Sequence, residues 1–422
     1  MVDVIIDCCA GLDVHQGTIV ACVLGGKSNR GTRSRPGKTI RTFGTTREKL
    51  QSLVAWLKAE GVTHACMEAS GVYWMPVFAT LEASEAVAPI VVNASHIKNV
   101  PGRKTDVKDA EWLAHLVRLG LVRNSFVPDR PFRELRELTR YRRSLVETQA
   151  SERQRLIKLL EGAGIKLAGV LSDVFGVSGR AIVRALIAGT HTPQQMAALA
   201  RGTARKKYAA LVKALDVRLE GHQRLMLECQ LQRVENAEAD IAALDVEIDR
   251  RLDPYAEYMA ALLRMPGIDR VVATAVIAEI GIDVSMFPTA AHLAAWAGVC
   301  PGNHQSAGKS KPTKARKGNR HLKTALCNAA ISASKKTGSY YKAKYHKLKA
   351  RRGGGKAALA IAHKLLLAVY HVLRGSPFRD LGETYLDKLN VKRSAARHVK
   401  YLEKLGFSVK IEPLAQAAIC LK

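Results

Sequence analysis

Apolar and polar positions alternate along the first 127 residues in the pattern of an α/β domain. Short apolar runs predict five strands, at residues 8–16, 17–26, 38–46, 63–70 and 88–94. An amphipathic pattern over residues 46–61 predicts a helix between the third and fourth strands. Residues 102–116 predict a closing helix with Thr105 as its N-cap. With a further helix before the last strand, the order is three strands, helix, strand, helix, strand, helix, which is an α/β layout.

The rest of the chain has the longer apolar period of helices. Residues 128–255 predict an antiparallel coiled-coil arm. In it, an apolar face near the end of this range packs against a partner helix at residues 132–160. The apolar positions of that face are Leu227, Leu231, Val234, Ile241, Leu244 and Ile248. The glycine-rich residues 162–179 interrupt the pattern and predict a small helical tip. Residues 256–375 predict a second helical domain, which is basic. Residues 376–422 predict a C-terminal tail, in which 407–414 form a strand.

The charge of the chain indicates what these domains bind. The chain has 66 Lys and Arg against 37 Asp and Glu, a formal net charge of +29. No carboxylate occurs between Asp283 and Asp380, a stretch of 96 residues with 19 Lys and Arg. A merely solvated surface intersperses both signs, so a stretch without acids indicates a surface that faces phosphate groups. A ribosome-like or non-specific basic surface is the alternative.

Cysteines and apolar segments indicate the compartment. The eight cysteines include no CxxC pair and no His/Cys spacing suited to zinc. Cys8 and Cys9 are adjacent in an apolar run, which is typical of reduced core residues of a cytosolic protein. The apolar run of residues 357–373 contains His363 and Lys364, and is too short and too polar to span a membrane. We therefore expect a cytoplasmic protein without a membrane partner.

Four acids of the first domain fall where they could meet. Asp13 lies in the first predicted strand and Glu68 ends the fourth, while Asp106 and Asp109 share one face of the closing helix. If the first and fourth strands are adjacent, all four carboxylates can converge at one end of the sheet. Such a cluster favours Mg²⁺ or Mn²⁺. Two such ions about 4 Å apart can clamp the attacking and leaving oxygens of a phosphodiester.

Each acid also has a simpler explanation. Asp13 could be a turn or edge residue, and Glu68 could cap the following helix. The two helix acids could pair with neighbouring lysines, in exposed ion pairs of little energy. The combination of four acids in this order, on these elements, favours the metal site.

Three segments resemble a known family: "GLDVHQGTIVACVL", "MEASGVYW" and "GRKTDVKDAEWLAHLVRLGLV". They are similar to the three blocks of the DEDD-type transposases of bacterial insertion sequences, the insertion-sequence family one-ten, whose members are RNA-guided recombinases. The resemblance implies a RuvC-type, ribonuclease-H-like fold for residues 1–127. It also implies that Asp13, Glu68, Asp106 and Asp109 are the metal-binding tetrad.

The same resemblance implies the partners. These are donor and target DNA, a structured bridge RNA that pairs with both, and further copies of this chain in a dimer or tetramer. In that oligomer the acidic domain of one subunit meets the serine domain of another.

Residues 262–281 resemble a helix-hairpin-helix, in which a Pro-Gly turn presents backbone amides to a phosphate. Asp269 stands where the usual hairpin has a second glycine, and a carboxylate there weakens phosphate binding. A packed helical hairpin is an equal alternative.

Residues 298–323 join a small polar segment to a dense run of cations. The cations are Lys309, Lys311, Lys314, Arg316, Lys317, Arg320 and Lys323. From the residues alone, Ser306 is favoured as a phosphate contact, although nearby cations can also activate a hydroxyl. The resemblance reverses this preference, since the family carries a nucleophilic serine just before a glycine in this loop. Ser306 fits that position, although Ala307 separates it from Gly308, and Ser310 is the second candidate.

Two adjacent tyrosines suggest a different nucleophile. Tyr340 and Tyr341 lack a surrounding Arg and His set of the kind that tyrosine recombinases need, so we expect them to pack or to stack on nucleic acid.

The preferred hypothesis is therefore a DNA recombinase that uses Mg²⁺ and a serine nucleophile. A metal-dependent nuclease that resolves junctions with water is one alternative. A non-enzymatic basic protein that binds nucleic acid is the other.

Overall fold

The structure is a computed structural model, and it separates into two compact units, residues 1–127 and 128–422. The residues it describes are 5–25, 37–93, 109–300, 305–306, 309–310, 315, 317–389 and 391–411. For residues 305–306, 309–310 and 393–394 only the backbone is described. The predicted divisions at residues 255 and 375 stay predictions.

The first unit is built on a mixed five-stranded sheet. Its strands are β1 (Cys9–Val14), β2 (Thr18–Gly25), β3 (Gly37–Gly44), β4 (His64–Glu68) and β5 (Ala88–Val92). Their order across the sheet is β3-β2-β1-β4-β5. Strands β1, β2 and β3 pair antiparallel, whereas β1, β4 and β5 pair parallel. The mixed sheet confirms the α/β class, and β1 lies beside β4 as the carboxylate hypothesis requires.

Helices cover both faces of this sheet. They are α1 (Arg47–Ala59), α2 (Trp74–Ser84) and α3 (Asp109–Arg118). Leu53 and Leu57 of α1 and Leu81 of α2 pack on one face, against Leu12 of β1 and Met67 of β4. Helix α3 packs on the opposite face. Its first described residue is Asp109, so the predicted N-cap at Thr105 lies outside the described residues.

Gly11 of β1 brings helix α3 unusually close to the sheet. A Cβ atom added at Gly11 would lie 2.0 Å from the carbonyl oxygen of Ala110 and 2.5 Å from the backbone nitrogen of Ala114. Real Cβ atoms essentially never approach backbone atoms so closely. A glycine inside a strand often marks such a close approach, so Gly11 sets how deeply the helix is seated.

The second unit begins with two long helices that pack against each other. They are α4 (Arg130–Gly162) and α9 (Gly221–Leu252). Arg251 of α9 pairs with Glu134 near the start of α4, and Arg142 further along α4 pairs with Asp245. Because the partners run in opposite directions along the chain, the two helices are antiparallel. The coiled-coil geometry of this arm stays a prediction.

Short helices between the two long ones form a separate apolar core. They are α5 (Leu167–Val170), α6 (Val177–Ala188), α7 (Pro193–Ala198) and α8 (Tyr208–Ala214), with a 3₁₀ turn at Gly202–Lys207. Leu156 and Leu160 of α4 pack into this core together with Ile182 and Leu186 of α6. Thr192 and Gln195 form a capping box at the start of α7, which satisfies two backbone amides reciprocally.

The remaining helices form the part of the chain that carries the acid-free stretch. They are α10 (Ala256–Leu263), α11 (Arg270–Ile280), α12 (Ala290–Trp296), α13 (Arg320–Ala333), α14 (Tyr340–Arg352), α15 (Gly354–Leu373), α16 (Tyr385–Lys388) and α17 (Val391–Lys404). A 3₁₀ turn at Asp253–Tyr255 joins α9 to α10. A two-stranded antiparallel sheet, β6 (Gln305–Ser306) and β7 (Lys309–Ser310), lies between α12 and α13 in sequence.

Helix α15 is long and apolar enough, by length and composition, to cross a membrane, and it is the one such helix among the described residues. Ile361, Leu365 and Leu366 on this helix are fully buried in the protein, and the Tyr370 hydroxyl donates a hydrogen bond to the Phe287 carbonyl oxygen at 2.9 Å. A buried core helix can have the same length and apolar composition as a membrane span. The contacts of α15 are those of a core helix.

The predicted strand in the tail is wrong over its described part. Residues 407–411 follow α17 without strand structure, and the side chains of Phe407 and Ile411 are largely exposed. The alternating apolar pattern is present, but no described strand pairs with it, and a strand needs neighbours to be stable.

We predict that Gly11→Ala destabilises the first unit and lowers DNA cleavage, because the added methyl group overlaps the backbone of α3. Overpacking of this kind costs about 1–3 kcal/mol of unfolding free energy. Thermal melting of the purified protein measures the loss. Gly17→Ala is the matched control, since a Cβ atom there meets nothing within 4 Å. Equal melting temperatures for the two variants would show that α3 is not seated on β1 as described.

Candidate active site

Two of the predicted carboxylates follow directly from the pairing of β1 with β4. Leu12 pairs with Met67 in parallel register, and Asp13 and Glu68 are the next residue of each strand. Neighbouring parallel strands in register point matching residues to the same face. Leu12 and Met67 lie in the core under α1 and α2, so Asp13 and Glu68 belong to the opposite face, at the carboxyl ends of both strands.

Helix α3 contributes the third carboxylate to the same face. Cys9 and Cys66, which alternate with the core residues of their strands, pack against Leu113 and Leu116 of α3. The Cys9 thiol donates to the carbonyl oxygen of Ala114 at 3.3 Å, whereas Gly11 meets Ala110 one turn earlier. The helix therefore runs antiparallel to β1, with its first turn toward Asp13.

Asp109 begins that first turn and is half-buried. The structure thus puts Asp13, Glu68 and Asp109 on one face of the sheet and at one end of it. Asp106 lies outside the described residues. Among the residues that are described, no group of three or more His, Cys, Asp and Glu side chains is close enough to hold a metal ion, so convergence of the tetrad stays a prediction.

Local hydrogen bonds orient the two strand carboxylates. The Ser70 hydroxyl donates to Glu68 Oε1 at 2.8 Å. His15 Nε2 lies 3.1 Å from Asp13 Oδ2, and the Asp13 side chain is one-quarter exposed. The three carboxylates fit a hard divalent cation in donor chemistry, because charged oxygen ligands are those that Mg²⁺ and Mn²⁺ prefer.

Thiols under the helix do not compete as ligands. Burial raises the pKa of Cys9 and of Cys22 to about 11, and that of Cys66 to about 12. The thiolate is the form that binds metal and attacks as a nucleophile, so these three groups are inert at neutral pH. Of the two predicted core cysteines, Cys9 is a buried free thiol and Cys8 is a half-buried one.

The predicted nucleophile lies on the two-stranded sheet of the second unit. Ser306 pairs with Lys309, and Gln305 pairs with Ser310. The two candidate serines therefore lie on opposite strands of one small ribbon.

The two ends of the segment that carries Ser306 meet backbone to backbone. A Cβ atom at Gly318 would lie 2.4 Å from the backbone nitrogen of Gly298. Asn319 follows Gly318 and caps α13, because its Oδ1 accepts from the amides of His321 at 3.0 Å and Leu322 at 3.1 Å. The backbone of Gly298 thus lies against that of Gly318, at the two ends of the segment that carries Ser306.

Few of the predicted phosphate-binding cations are described. Lys317 and Arg320 are exposed and Lys323 is half-buried, and in the described part of the chain none of these three forms an ion pair with an acid. Only the backbone of Lys309 is described, and Lys311, Lys314 and Arg316 lie outside the described residues. The exposed cations beside the base of the segment are available to a phosphate.

At the turn of the helical hairpin of residues 262–281, contacts within the protein take the place that a phosphate would occupy. Asp269 Oδ1 accepts from the amide of Val272 at 2.9 Å, which caps α11. A Cβ atom at Gly267 would lie 2.2 Å from the carbonyl oxygen of Ala329 in α13. These contacts favour the packed hairpin, and phosphate binding at this turn stays a prediction.

The adjacent tyrosines are core residues. Tyr340 and Tyr341 are 8% and 5% exposed, and their rings meet edge to face at 5.5 Å between centroids. Burial raises the pKa of both hydroxyls, so neither is disposed to ionise and attack DNA. Of the two expectations for this pair, the structure supports packing.

Comparison with known families identifies the chain. A family model named DEDD_Tnp_IS110 and described as a transposase matches residues 10–165, and a model described as the transposase IS116/IS110/IS902 family matches residues 259–346. Together the two matches cover more than half of the chain. The chain belongs to the IS110 family of DEDD transposases. No curated protein matches it.

Membership in the family confirms part of the sequence hypothesis. The transposase is an enzyme that acts on DNA, and transposases of the DEDD type generally use a divalent metal ion. The first match includes the four predicted carboxylates, and the second includes Ser306 and the cations that follow it. The non-enzymatic alternative is therefore wrong.

Sequence reasoning missed several residues that hold this site in place. Gly11 had a readable signal, because a glycine stood inside an otherwise apolar strand. Glu279 also had a readable signal, because it is the one acid in the apolar helix α11. The contact between Gly298 and Gly318 had no signal, since twenty positions separate them.

We predict that replacing Lys314, Arg316, Lys317 and Arg320 together by glutamine flattens the salt dependence of DNA binding. Each lost phosphate contact lowers the slope of log affinity against log salt by about 0.9. Fluorescence anisotropy with labelled DNA over a range of salt concentrations gives the slope.

The control for that variant removes the same charge from the helical tip. Arg201, Lys206, Lys213 and Arg218 are exposed cations there, and their joint replacement by glutamine should leave the slope near that of the unaltered protein. Equal flattening by both variants would mean that net charge, rather than this segment, governs binding.

Proposed function

We propose that this transposase cuts and rejoins DNA through a covalent bond between Ser306 and a DNA phosphate, with a divalent cation held by Asp13, Glu68, Asp106 and Asp109. The observation that carries the proposal is the placement of Asp13, Glu68 and Asp109 on one face of the sheet, at the ends of two adjacent parallel strands. Ligand and catalytic groups commonly lie at the carboxyl ends of parallel strands.

The chemical step exchanges one phosphate ester for another. The Ser306 hydroxyl oxygen bonds to phosphorus and gives up its proton to a base. The bond from phosphorus to one deoxyribose oxygen breaks, and that oxygen leaves with a proton as an alcohol. One P–O bond forms for each that breaks, so the covalent intermediate keeps the ester and the strand can be rejoined without an external energy source.

A serine hydroxyl is a weak nucleophile near neutral pH and needs activation. A bound Mg²⁺ or Mn²⁺ supplies a positive charge that stabilises the attacking and leaving oxygens. The exposed cations at the end of the segment, Lys317 and Arg320, would bind the phosphate and offset the charge that develops on it.

A guide RNA is part of the proposal as a partner of the second unit. The acid-free stretch from residue 284 to residue 379 is consistent with it, because its 19 cations favour binding of phosphate groups. Phosphate contacts do not distinguish RNA from DNA, so the charge supports a nucleic-acid partner and the family resemblance points to RNA.

We predict that Asp106→Asn abolishes strand cleavage in Mg²⁺ while DNA binding is retained. Four neighbouring carboxylates need cations to stay ionised together, and the amide removes one ligand and one charge. Cleavage of labelled DNA and a mobility-shift assay measure the two properties. Glu111→Gln is the control, since Glu111 lies on the same helix but binds Lys38 Nζ at 2.6 Å. A normal cleavage rate for Asp106→Asn would remove that residue from the tetrad.

We predict that Ser306→Ala forms no covalent adduct with DNA, whereas Ser310→Ala does. The alanine lacks the oxygen that must bond to phosphorus. The adduct is read on a denaturing gel with labelled donor DNA and the RNA. An adduct from Ser306→Ala but not from Ser310→Ala would transfer the role to Ser310. Cleavage without any adduct would favour the nuclease that uses water.

Mixing two inactive variants tests whether the oligomer shares its sites. Ser306→Ala and Asp109→Asn, each inactive alone, should partly restore adduct formation when they are combined in one oligomer. Restoration requires that a serine from one subunit works with carboxylates from another. No adduct from the mixture would argue against a shared site.

A further inference from the structure

A buried carboxylate lies behind the base of the segment that carries Ser306. Glu279 of α11 has a side chain only 2% exposed. Arg140 of α4 donates to both of its oxygens at 2.8 Å, and Arg136 Nε lies 3.1 Å from Oε2. Asn319 Nδ2 donates to Oε2 at 2.6 Å. Glu279 thus joins three elements that are far apart in sequence.

The charge on Glu279 is maintained despite its burial. Burial alone raises the pKa of a carboxyl group, but the hydrogen bond from Arg140 and the charges of Arg136 and Arg140 outweigh it, so the pKa lies below its ordinary value. Arg136 also donates to the Glu279 carbonyl oxygen at 2.6 Å. Side chain and backbone of this residue are therefore both fixed by α4.

Asn319 uses its whole amide in this arrangement. Its oxygen accepts from the first amides of α13, as described above, while its nitrogen donates to Glu279. An amide with both ends bonded has a single orientation. Gly318, the preceding residue, has its backbone against Gly298. The hydrogen bond to Glu279 consequently fixes the point at which the segment from residue 299 to 317 returns to the core.

A contribution to folding stability does not by itself explain the cluster of Glu279 with Arg136, Arg140 and Asn319. A buried ion pair loses about as much solvation energy as it gains in attraction, and apolar replacements are often neutral or stabilising. What the cluster does supply is a defined orientation, because an Arg–carboxylate pair bonded through two nitrogens allows only one geometry.

We propose that Glu279 is a positioning residue, which acts through Asn319 to hold the Ser306 segment in the orientation that the transfer reaction needs. Arg136 and Arg140 make the first turns of the arm helix α4 part of the same support. This inference rests on the proposed role of Ser306. Misplacing a reacting group by about 1 Å can lower a rate by about a hundredfold, so loss of the contact is expected to slow the reaction rather than to weaken DNA binding.

The first test removes the contact and keeps the helix cap. Asn319→Ser retains a preferred N-cap side chain but loses the nitrogen that reaches Glu279. We expect the rate of covalent adduct formation at saturating DNA to fall by about ten- to a hundredfold, with DNA affinity and melting temperature unchanged. An unchanged rate would overturn the inference.

The second test restores the contact with its polarity reversed. Asn319→Asp alone places a second carboxylate against Glu279 and should be slow. Glu279→Gln alone leaves both arginines without their anion and should also be slow. In the double variant the new amide nitrogen can donate to the new carboxylate, while the oxygen that remains on residue 279 can still accept from Arg140. We expect its rate to exceed that of either single variant, and a rate no higher than theirs would contradict a positioning role.

Asp245→Asn is the matched control for loss of an ion pair. Arg142 of α4 donates to both oxygens of Asp245 in α9, so this variant breaks a two-nitrogen Arg–carboxylate contact of the same helix, more exposed than that of Glu279, away from residues 298–319. Its adduct rate at saturating DNA should equal that of the unaltered protein, whatever its melting temperature. A loss as large as that of Asn319→Ser would make the effect one of general stability and overturn the inference.

A further readout separates this inference from the proposed nucleophile. Trypsin cleavage after Lys317, two residues before Asn319, should be faster in Asn319→Ser than in the unaltered protein. If Ser306→Ala still forms an adduct, the proposed nucleophile is wrong, and faster cleavage after Lys317 would still support anchoring by Glu279. If neither the adduct rate nor this cleavage changes in Asn319→Ser, the anchoring itself is wrong.

Discussion

The seating of helix α3 on strand β1 determines where the first unit can place its charges. With only a hydrogen atom at Gly11, the backbone at Ala110 lies against the strand, and Asp109 begins the helix one residue earlier. Parallel pairing of β1 with β4 adds Glu68 beside Asp13 at the same end. Two backbone constraints, a register and a close approach, thus determine the face that three acids share before any metal ion is considered.

The second unit uses charge in two different ways. Some of its acids pair with arginines of the long helix α4, as the buried Glu279 does with Arg140 and the partly exposed Asp245 with Arg142. The stretch between Asp283 and Asp380 has cations without acids, and Lys317 and Arg320 are exposed there. Ion pairs with α4 fix geometry, whereas exposed cations such as Lys317 and Arg320 can attract phosphate. Charged residues therefore serve support and binding in different parts of this unit.

Much of the first unit could be predicted from the sequence because its signals are local. Apolar runs gave the strands and helix α1 to within about two residues, since period and turn residues are properties of neighbouring positions. The adjacency of β1 and β4, on which the carboxylate hypothesis depends, could only be assumed. The resemblance of three segments to a transposase family, rather than periodicity, supplied the roles of Asp106 and Ser306.

The supports of the site could not be predicted in the same way. Asn319 reads as an ordinary helix cap, and its second bond to Glu279 spans forty positions. The predicted strand at 407–414 failed over residues 407–411 for the opposite reason, because a local pattern was present without a described partner. Contacts between residues that are far apart in sequence depend on the whole fold. No single segment of the sequence therefore predicts them.

The thiols beneath helix α3 make its packing observable in solution. Cys9, Cys22 and Cys66 all lie between the sheet and this helix, with pKa values of about 11 to 12. At neutral pH only about one such thiol in 10⁴ to 10⁵ is ionised, and alkylating reagents react with the thiolate. The exposed Cys229 of the arm reacts freely and provides an internal reference. The rate of modification of the three buried thiols therefore measures how often the helix lifts from the sheet.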